Sequence, residues 1–246
     1  MPFQGNGARF FVDLGKRTDY PKALSGAEDA LDTVVFDLDG TLIDSAPDIH
    51  AAANRMLADM GQPDLPLETI IGFIGNGVKV LVERCLAHLD LARSDADVAE
   101  ALGDFMAYYN ADLTTLTRPF PGAEDLLSDL GRRGIKMGVC TNKPEQPARL
   151  ILSRMGLADH FAAVIGGDSL GQRKPEPAPL LATIAELGGA PERTLYVGDS
   201  ETDYRTALNA GVPFAYFEGG YQRRPIEGFA PGFRVSALSE VGRLIG

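Results

Sequence analysis

Apolar runs of strand character alternate with helical periodicity through most of this 246-residue chain. That alternation predicts an α/β fold: a doubly wound, Rossmann-like parallel sheet carrying a small α-helical insert. Three observations carry the expectation. The run VVFDLDGTLIDS, residues 34–45, reads as a buried strand that ends in two carboxylates and a glycine turn. Residues 46–118 then read as helix after helix. From 119 to 246, strand and helix alternate again, which implies right-handed crossovers between parallel strands.

The elements follow in order. Residues 1–31 read as an N-terminal extension without a function. Asp13, Asp19, Glu28 and Asp29 argue against a mitochondrial transit peptide, which is poor in acids. Phe10, Phe11, Val12 and Leu14 are its candidates for docking on a core. After the first strand, Pro47 suits the first turn of a helix. Ile49, Ala52, Ala53, Met56, Leu57 and Met60 recur at helical spacing, and Gly61 ends the run. A second helix opens after Pro66 with Leu67, Ile70, Ile71 and Ile74, and 78–89 and 96–113 supply two more. In the second half, helices are expected over the segment closed by Gly134, over 144–155, 177–187 and 202–210. Strands are expected over 135–140, 162–166, 194–197 and 213–217.

In a parallel α/β sheet, ligands sit outside the carboxyl ends of the strands. Asp37 and Asp39 occupy that position with Leu38 between them, so alternation sends both carboxylates the same way. Such a pair can share a metal and divide labour as nucleophile and proton donor. A second strand ends in Thr141-Asn142, within MGVCTNK, where a hydroxyl and backbone N–H groups can hold phosphate oxygens. Lys174 stands in RKPEP, and Pro175 biases it toward extended backbone. A third strand, in TLYVGDSETD, leads to Asp199 and Asp203. Each piece alone has an ordinary explanation: a turn, a helix cap or a solvated charge. Four pieces in one order, at the ends of successive expected strands, do not.

These stretches resemble the haloacid dehalogenase superfamily of aspartate-nucleophile phosphatases. DLDGTLIDS is similar to its first motif, Thr141 to its second, Lys174 to its third and GDSETD to its fourth. The resemblance implies that Asp37 attacks phosphorus and that Asp39 protonates the leaving oxygen and later activates water. It also implies Mg²⁺ held by Asp37, the Asp39 backbone carbonyl and Asp199, with Thr141, Asn142 and Lys174 on the phosphoryl group. Asp203 becomes a supporting group that orients Lys174 or a metal water. The helical insert, 46–118, becomes a C1 cap over a core made of 32–45 and 119–246. Asp39 favours phosphoryl transfer, because members that cleave carbon–halogen bonds lack an acid there.

Composition sets bounds on partners. A net charge of −11 argues against a broad nucleic-acid surface. No apolar run approaches the roughly 20 residues of a membrane-spanning helix. Two cysteines without a CxxC pattern or a secretory signal fit a reducing cytoplasm. His50, His88 and His160 share no ligand spacing, so a softer metal is not expected. The expected partner is a small phosphate ester, and the expected assembly a monomer or homodimer.

The substrate expectation comes from the insert. IGFIGNGVKVLVERCL, together with PFPGAEDLLSDL and a late GGY, resembles bacterial phosphoglycolate phosphatases. Gly75, Asn76 and Gly77 offer backbone N–H groups and an amide to a small carboxylate. Arg84 is a further carboxylate candidate, although a solvated helix position is its simpler explanation. The expected reaction is hydrolysis of 2-phosphoglycolate to glycolate and phosphate. The alternatives are another small phosphomonoester or pyrophosphate, a sugar-phosphate mutase, and a non-catalytic binding protein. The last sits poorly with two aspartates at one strand end.

Overall fold

The structure is a computed structural model that describes residues 30–91, 94–222 and 225–245. Residues 1–29 of the expected extension, with Phe10, Phe11, Val12 and Leu14, lie outside the described residues. Leu31, at the end of that expected extension, is already buried in the core.

Six parallel strands form one sheet in the order β5-β4-β1-β6-β7-β8. They are β1 (Thr33–Phe36), β4 (Lys136–Cys140), β5 (Ala163–Ile165), β6 (Thr194–Gly198), β7 (Phe214–Phe217) and β8 (Phe233–Val235). β1 lies at the centre, with Val35 opposite Gly138 on one side and Tyr196 on the other. Alternation sorts its side chains between two apolar layers. Val34 and Phe36 join Leu126, Leu127 and Ile151 on one face, and Val35 joins Leu180, Ile184 and Tyr204 on the other. Those partners come from α5 (Ala123–Arg132) and α6 (Glu145–Arg154) on the first face, and α7 (Ala178–Glu186) and α8 (Glu201–Ala210) on the second. Helices on both faces of a parallel sheet make the doubly wound α/β architecture.

Four helices leave the sheet between β1 and β4: α1 (Ala46–Asp59), α2 (Leu67–Ile71), α3 (Val78–His88) and α4 (Asp95–Ala111). The chain passes between sheet and insert through a short antiparallel pair, β2 (Ile43–Asp44) with β3 (Arg118–Pro119). Asp48 braces this crossing. Its carboxylate accepts from the backbone N–H of Leu116 and Thr117 and from the Thr117 hydroxyl, at 2.7–3.0 Å. The apolar core continues from the sheet into the insert, so Met56, Leu57, Phe105 and Tyr109 share one cluster with Val34 and Phe36.

Local signals explain most element ends. Ser94 and Asp97 form a reciprocal capping box at the start of α4, as do Ser200 and Asp203 at the start of α8. Several boundaries differ from the sequence reading. α2 stops at Ile71, so Ile74 lies beyond it in a turn that begins at Gly72. α4 ends at Ala111, before Leu113. β8 was not expected: three residues after a Pro-Gly pair carry too little pattern, and pairing with β7 supplies the order.

Candidate active site

The site is built by three neighbouring strand ends. β1 delivers Asp37, β4 delivers Thr141 and β6 delivers Asp199, and the strands are adjacent because the sheet order runs β4-β1-β6. Lys174 reaches the same place from the segment before α7. Its Nζ donates to Asp37 Oδ1 and to Asp203 Oδ1, each at 2.7 Å, and to the Tyr196 hydroxyl at 3.0 Å. Asp203 also uses its other oxygen to accept from Ser200 N and Oγ, at 3.1 and 2.5 Å. One carboxylate thus caps α8 and holds the lysine.

Asp199 is gripped from both sides. Thr41 Oγ1 donates to its Oδ1 at 3.0 Å, and the Tyr221 backbone N–H donates to its Oδ2 at 2.6 Å. The fit is tight. A Cβ on Gly220 would stand 2.2 Å from Asp199 Cβ, and one on Gly40 would stand 2.6 Å from Asp199 Oδ2. Gly40 also has a φ of +90°, which glycine adopts without penalty.

Electrostatics single out these acids. Carboxylate oxygens of Asp37, Asp199 and Asp203 lie within 4.8 Å of one another, and all three residues are buried. Burial and the Asp203 charge push the Asp37 carboxyl up to about 7, against the pull of Lys174. Burial, then Asp203 and Asp37, push Asp199 well above the usual carboxylate range. Crowded acids of this kind are what a cation relieves. The donors are oxygens only, which suits a hard divalent ion such as Mg²⁺. The residues present therefore fit the metal that the sequence reading expected.

Asp39 sits beside this cluster with different partners. Ser45 Oγ donates to its Oδ1 at 2.5 Å, and Lys143 Nζ bonds both its oxygens at 2.7 and 2.8 Å. Burial alone pushes the Lys143 ammonium down, but Asp39 and Tyr109 outweigh it and the net shift is upward. Thr141 Oγ1 accepts from Lys143 N at 3.1 Å. The Asn142 amide nitrogen donates to the carbonyls of Gly75 and Lys174, at 3.0 and 3.1 Å, while its Oδ1 is buried without a partner.

A pocket opens above these groups, between the strand ends and the insert. Asp37, Asp39, Thr141, Asn142 and Lys143 line its floor, and residues of α1, α3 and α4 and of the loop after α2 line its walls. Gly75 and Gly77 belong to that wall. The Asn76 side chain does not point there: its amide donates to Thr202 Oγ1 at 3.0 Å. Arg84 does not line the pocket, and its Nη1 donates to the Phe73 carbonyl at 3.1 Å; His50 Nε2 lies 2.8 Å from the Leu65 carbonyl.

Sequence reasoning overlooked several members of this site. Lys143 follows Asn142 in MGVCTNK and Tyr221 closes GGY, and neither carries a role on sequence grounds. Thr41 and Ser45 were likewise inside the first motif. Tyr109 and Tyr196, both fully buried, are not singled out at all by the sequence reading.

Comparison with known proteins agrees with this geometry. The haloacid dehalogenase-like hydrolase family matches residues 34–217. A phosphoglycolate phosphatase of Cereibacter sphaeroides is 54% identical over 193 residues, which are 78% of this chain and 88% of that protein. One from Rhodospirillum rubrum is 45% identical over 197 residues, 78% of this chain and 82% of the other. Among solved structures, a predicted phosphoglycolate phosphatase from Haemophilus somnus superposes with a TM-score of 0.82 at 29% identity, covering 89% of this chain and 99% of that one. With its strand-end acids, its buried lysine and a family match that spans most of the chain, this protein belongs to the haloacid dehalogenase-like hydrolases.

Proposed function

We propose that this protein is a Mg²⁺-dependent phosphoric monoester hydrolase that converts 2-phosphoglycolate to glycolate and phosphate. The observation that carries the reading is that Asp37 lies with Asp39 on the floor of the pocket and at the same time joins Lys174 and Asp199 in the buried cluster behind it. The substrate follows from relatives named phosphoglycolate phosphatase that align over most of this chain. In this reading residues 46–118 form a cap over a catalytic core of 32–45 and 119–246.

The chemistry divides among the residues. The Asp37 carboxylate attacks phosphorus and forms an acyl phosphate on its own side chain. Like charges oppose that approach, and the Lys174 ammonium offsets part of the repulsion while holding a phosphoryl oxygen. Thr141 and Asn142 position the remaining oxygens. Asp39 gives a proton to the ester oxygen as glycolate leaves, then takes one from the water that hydrolyses the acyl phosphate. Asp37, Asp199 and the Asp39 backbone carbonyl would hold Mg²⁺, which supplies positive charge against the phosphoryl oxygens. The apolar pocket walls keep bulk water from the acyl phosphate.

Phosphate release with Mg²⁺ tests the reading across 2-phosphoglycolate, pyrophosphate, β-glucose 1-phosphate, a nucleoside monophosphate and p-nitrophenyl phosphate. A kcat/KM for 2-phosphoglycolate at least about a hundredfold above the others, roughly 2.7 kcal/mol of transition-state discrimination, is the expected result. A flat profile would keep the phosphatase and remove the substrate. Consumption of β-glucose 1-phosphate without free phosphate would point to a mutase.

A further inference from the structure

We propose that Lys143 and Tyr109 form a specificity subsite for a carboxylate one or two carbons from the phosphoryl ester. The proposal rests on the phosphatase reading above and deepens it. Among the described residues that line the pocket, Asp37, Asp39, Thr141 and Asn142 are taken up by the reaction and the phosphoryl group. The rest of the wall is glycine or apolar, with Ile49, Ile74, Val78, Leu81 and Phe105, apart from Lys143 and Tyr109. An apolar wall offers a carboxylate nothing in exchange for its water. A fixed ammonium and a hydroxyl do.

Both groups are unusually placed. Lys143 is 6% exposed and Tyr109 2%, so each side chain is held at the pocket with little access to bulk solvent. The Tyr109 hydroxyl is buried with no partner at hydrogen-bond distance, and the charged group that acts on it most strongly is the neighbouring Lys143 ammonium. Buried hydroxyls are almost always bonded, so an orphan on a pocket wall marks a place for a ligand atom. Lys143 Nζ lies 5.0 Å from the centroid of the Tyr109 ring, so α4 and the loop after β4 bring the two donors to the same space.

Reach sets the substrate class. Asp39 has to face the ester oxygen, and the Lys143 ammonium stands 2.7 Å from Asp39 Oδ1. An anion that Lys143 takes must therefore sit close to that ester oxygen, which describes a short phosphorylated hydroxy acid. Lys143 has three N–H donors, so a substrate carboxylate shares the ammonium with Asp39 or displaces it, and Ser45 still holds Asp39. Of the earlier side-chain candidates for this task, Asn76 and Arg84 do not line the pocket, and they donate to Thr202 and to the Phe73 carbonyl.

The test compares 2-phosphoglycolate with ethyl phosphate, which lacks the carboxylate, in wild type, Lys143→Met and Tyr109→Phe. Lys143→Met is expected to lower kcat/KM for 2-phosphoglycolate about a hundredfold more than for ethyl phosphate, mainly through KM, the size of a lost charge-assisted bond. Tyr109→Phe keeps the ring and is expected to show a differential of about fivefold, as for a neutral hydrogen bond. Should Lys143→Met fail to fold, the Tyr109→Phe differential decides. Equal losses on both substrates would overturn the proposal, because a residue that only orients Asp39 serves both alike. A wild-type enzyme with no preference for 2-phosphoglycolate would instead remove the substrate reading, and the subsite with it.

Discussion

The backbone N–H of Tyr221 donates to Asp199 Oδ2 at 2.6 Å, so a residue beyond the seventh strand fixes an acid at the end of the sixth. The same tyrosine reaches the base of the helical insert. Its hydroxyl accepts from the N–H groups of Ser45 and Ala46, at 2.8 and 2.9 Å, and donates to Asp44 Oδ1 at 2.7 Å. Tyr221 therefore joins Asp199, through its backbone, to the point where the chain enters α1, through its phenol.

Tyr221→Phe removes that hydroxyl and leaves the backbone contact to Asp199 in place. Two buried N–H groups lose their acceptor, so the variant is expected to lose about 2 kcal/mol, or roughly 4–8 °C in Tm. Thermal unfolding checks it. An unchanged Tm would show that water replaces the hydroxyl without cost.

Asp37→Asn keeps the shape of the nucleophile and removes its charge. Turnover is expected to fall by at least about 10⁴-fold, the scale seen when an essential nucleophile is lost. Substrate binding in Mg²⁺ should persist. Mass spectrometry of the quenched wild-type enzyme should find a phosphoryl group on Asp37, and its absence at every time point would count against a covalent route.

Lys174 is the ammonium shared by Asp37 and Asp203, and all three side chains are buried. Replacing it with methionine leaves those acids uncompensated. Breaking a buried pair in this way costs about 3–5 kcal/mol. The expected outcome is a Lys174→Met protein whose Tm drops sharply in EDTA and recovers in part when Mg²⁺ is added. Equal melting of variant and wild type in EDTA would refute the claim that the lysine balances this cluster.

The same crowding predicts a pH dependence. The Asp37 carboxyl lies at about 7 in the folded protein against an ordinary 3.8, chiefly through burial. Between those values the folded state holds a proton that the unfolded state has released. This site's contribution to stability is therefore full below the ordinary value, declines as pH rises toward 7, and levels off above it. Asp199 shifts in the same direction. A bound cation relieves the repulsion, so the gap in Tm between Mg²⁺-loaded and EDTA-treated protein should widen from about pH 5 to about pH 7. A gap that narrows over that range would contradict the electrostatic account.

Much of the architecture was legible because its causes are local. Strand-like runs, helical spacing and the Pro47 and Gly61 boundaries act over a few residues. Asp37, Asp39, Thr141 and Asp199 could be named because strand ends are where a parallel sheet presents its ligands, and Lys174 because RKPEP resembles the third motif of the family. Their partners could not be. Lys143 pairs with Asp39 across 104 residues and Tyr221 reaches Ser45 across 176, and neither separation leaves a trace in local pattern. Asn76 illustrates the converse: an amide in a glycine turn looks free to bind substrate, until folding places Thr202 beside it.

The sequence by itself determined the fold class, the helical insert and the acids and threonine at the strand ends, since each depends on short-range periodicity or on the polarity of a parallel strand, while Lys174 could be named only through the motif that RKPEP resembles. Only the tertiary structure decided which charges pair, which hydroxyl is left without a partner and which wall of the pocket is apolar. Those depend on strand order and on how the insert packs over the sheet. The β4-β1-β6 neighbourhood brings three distant segments to one edge, and burial there gathers carboxylates that could together hold a cation.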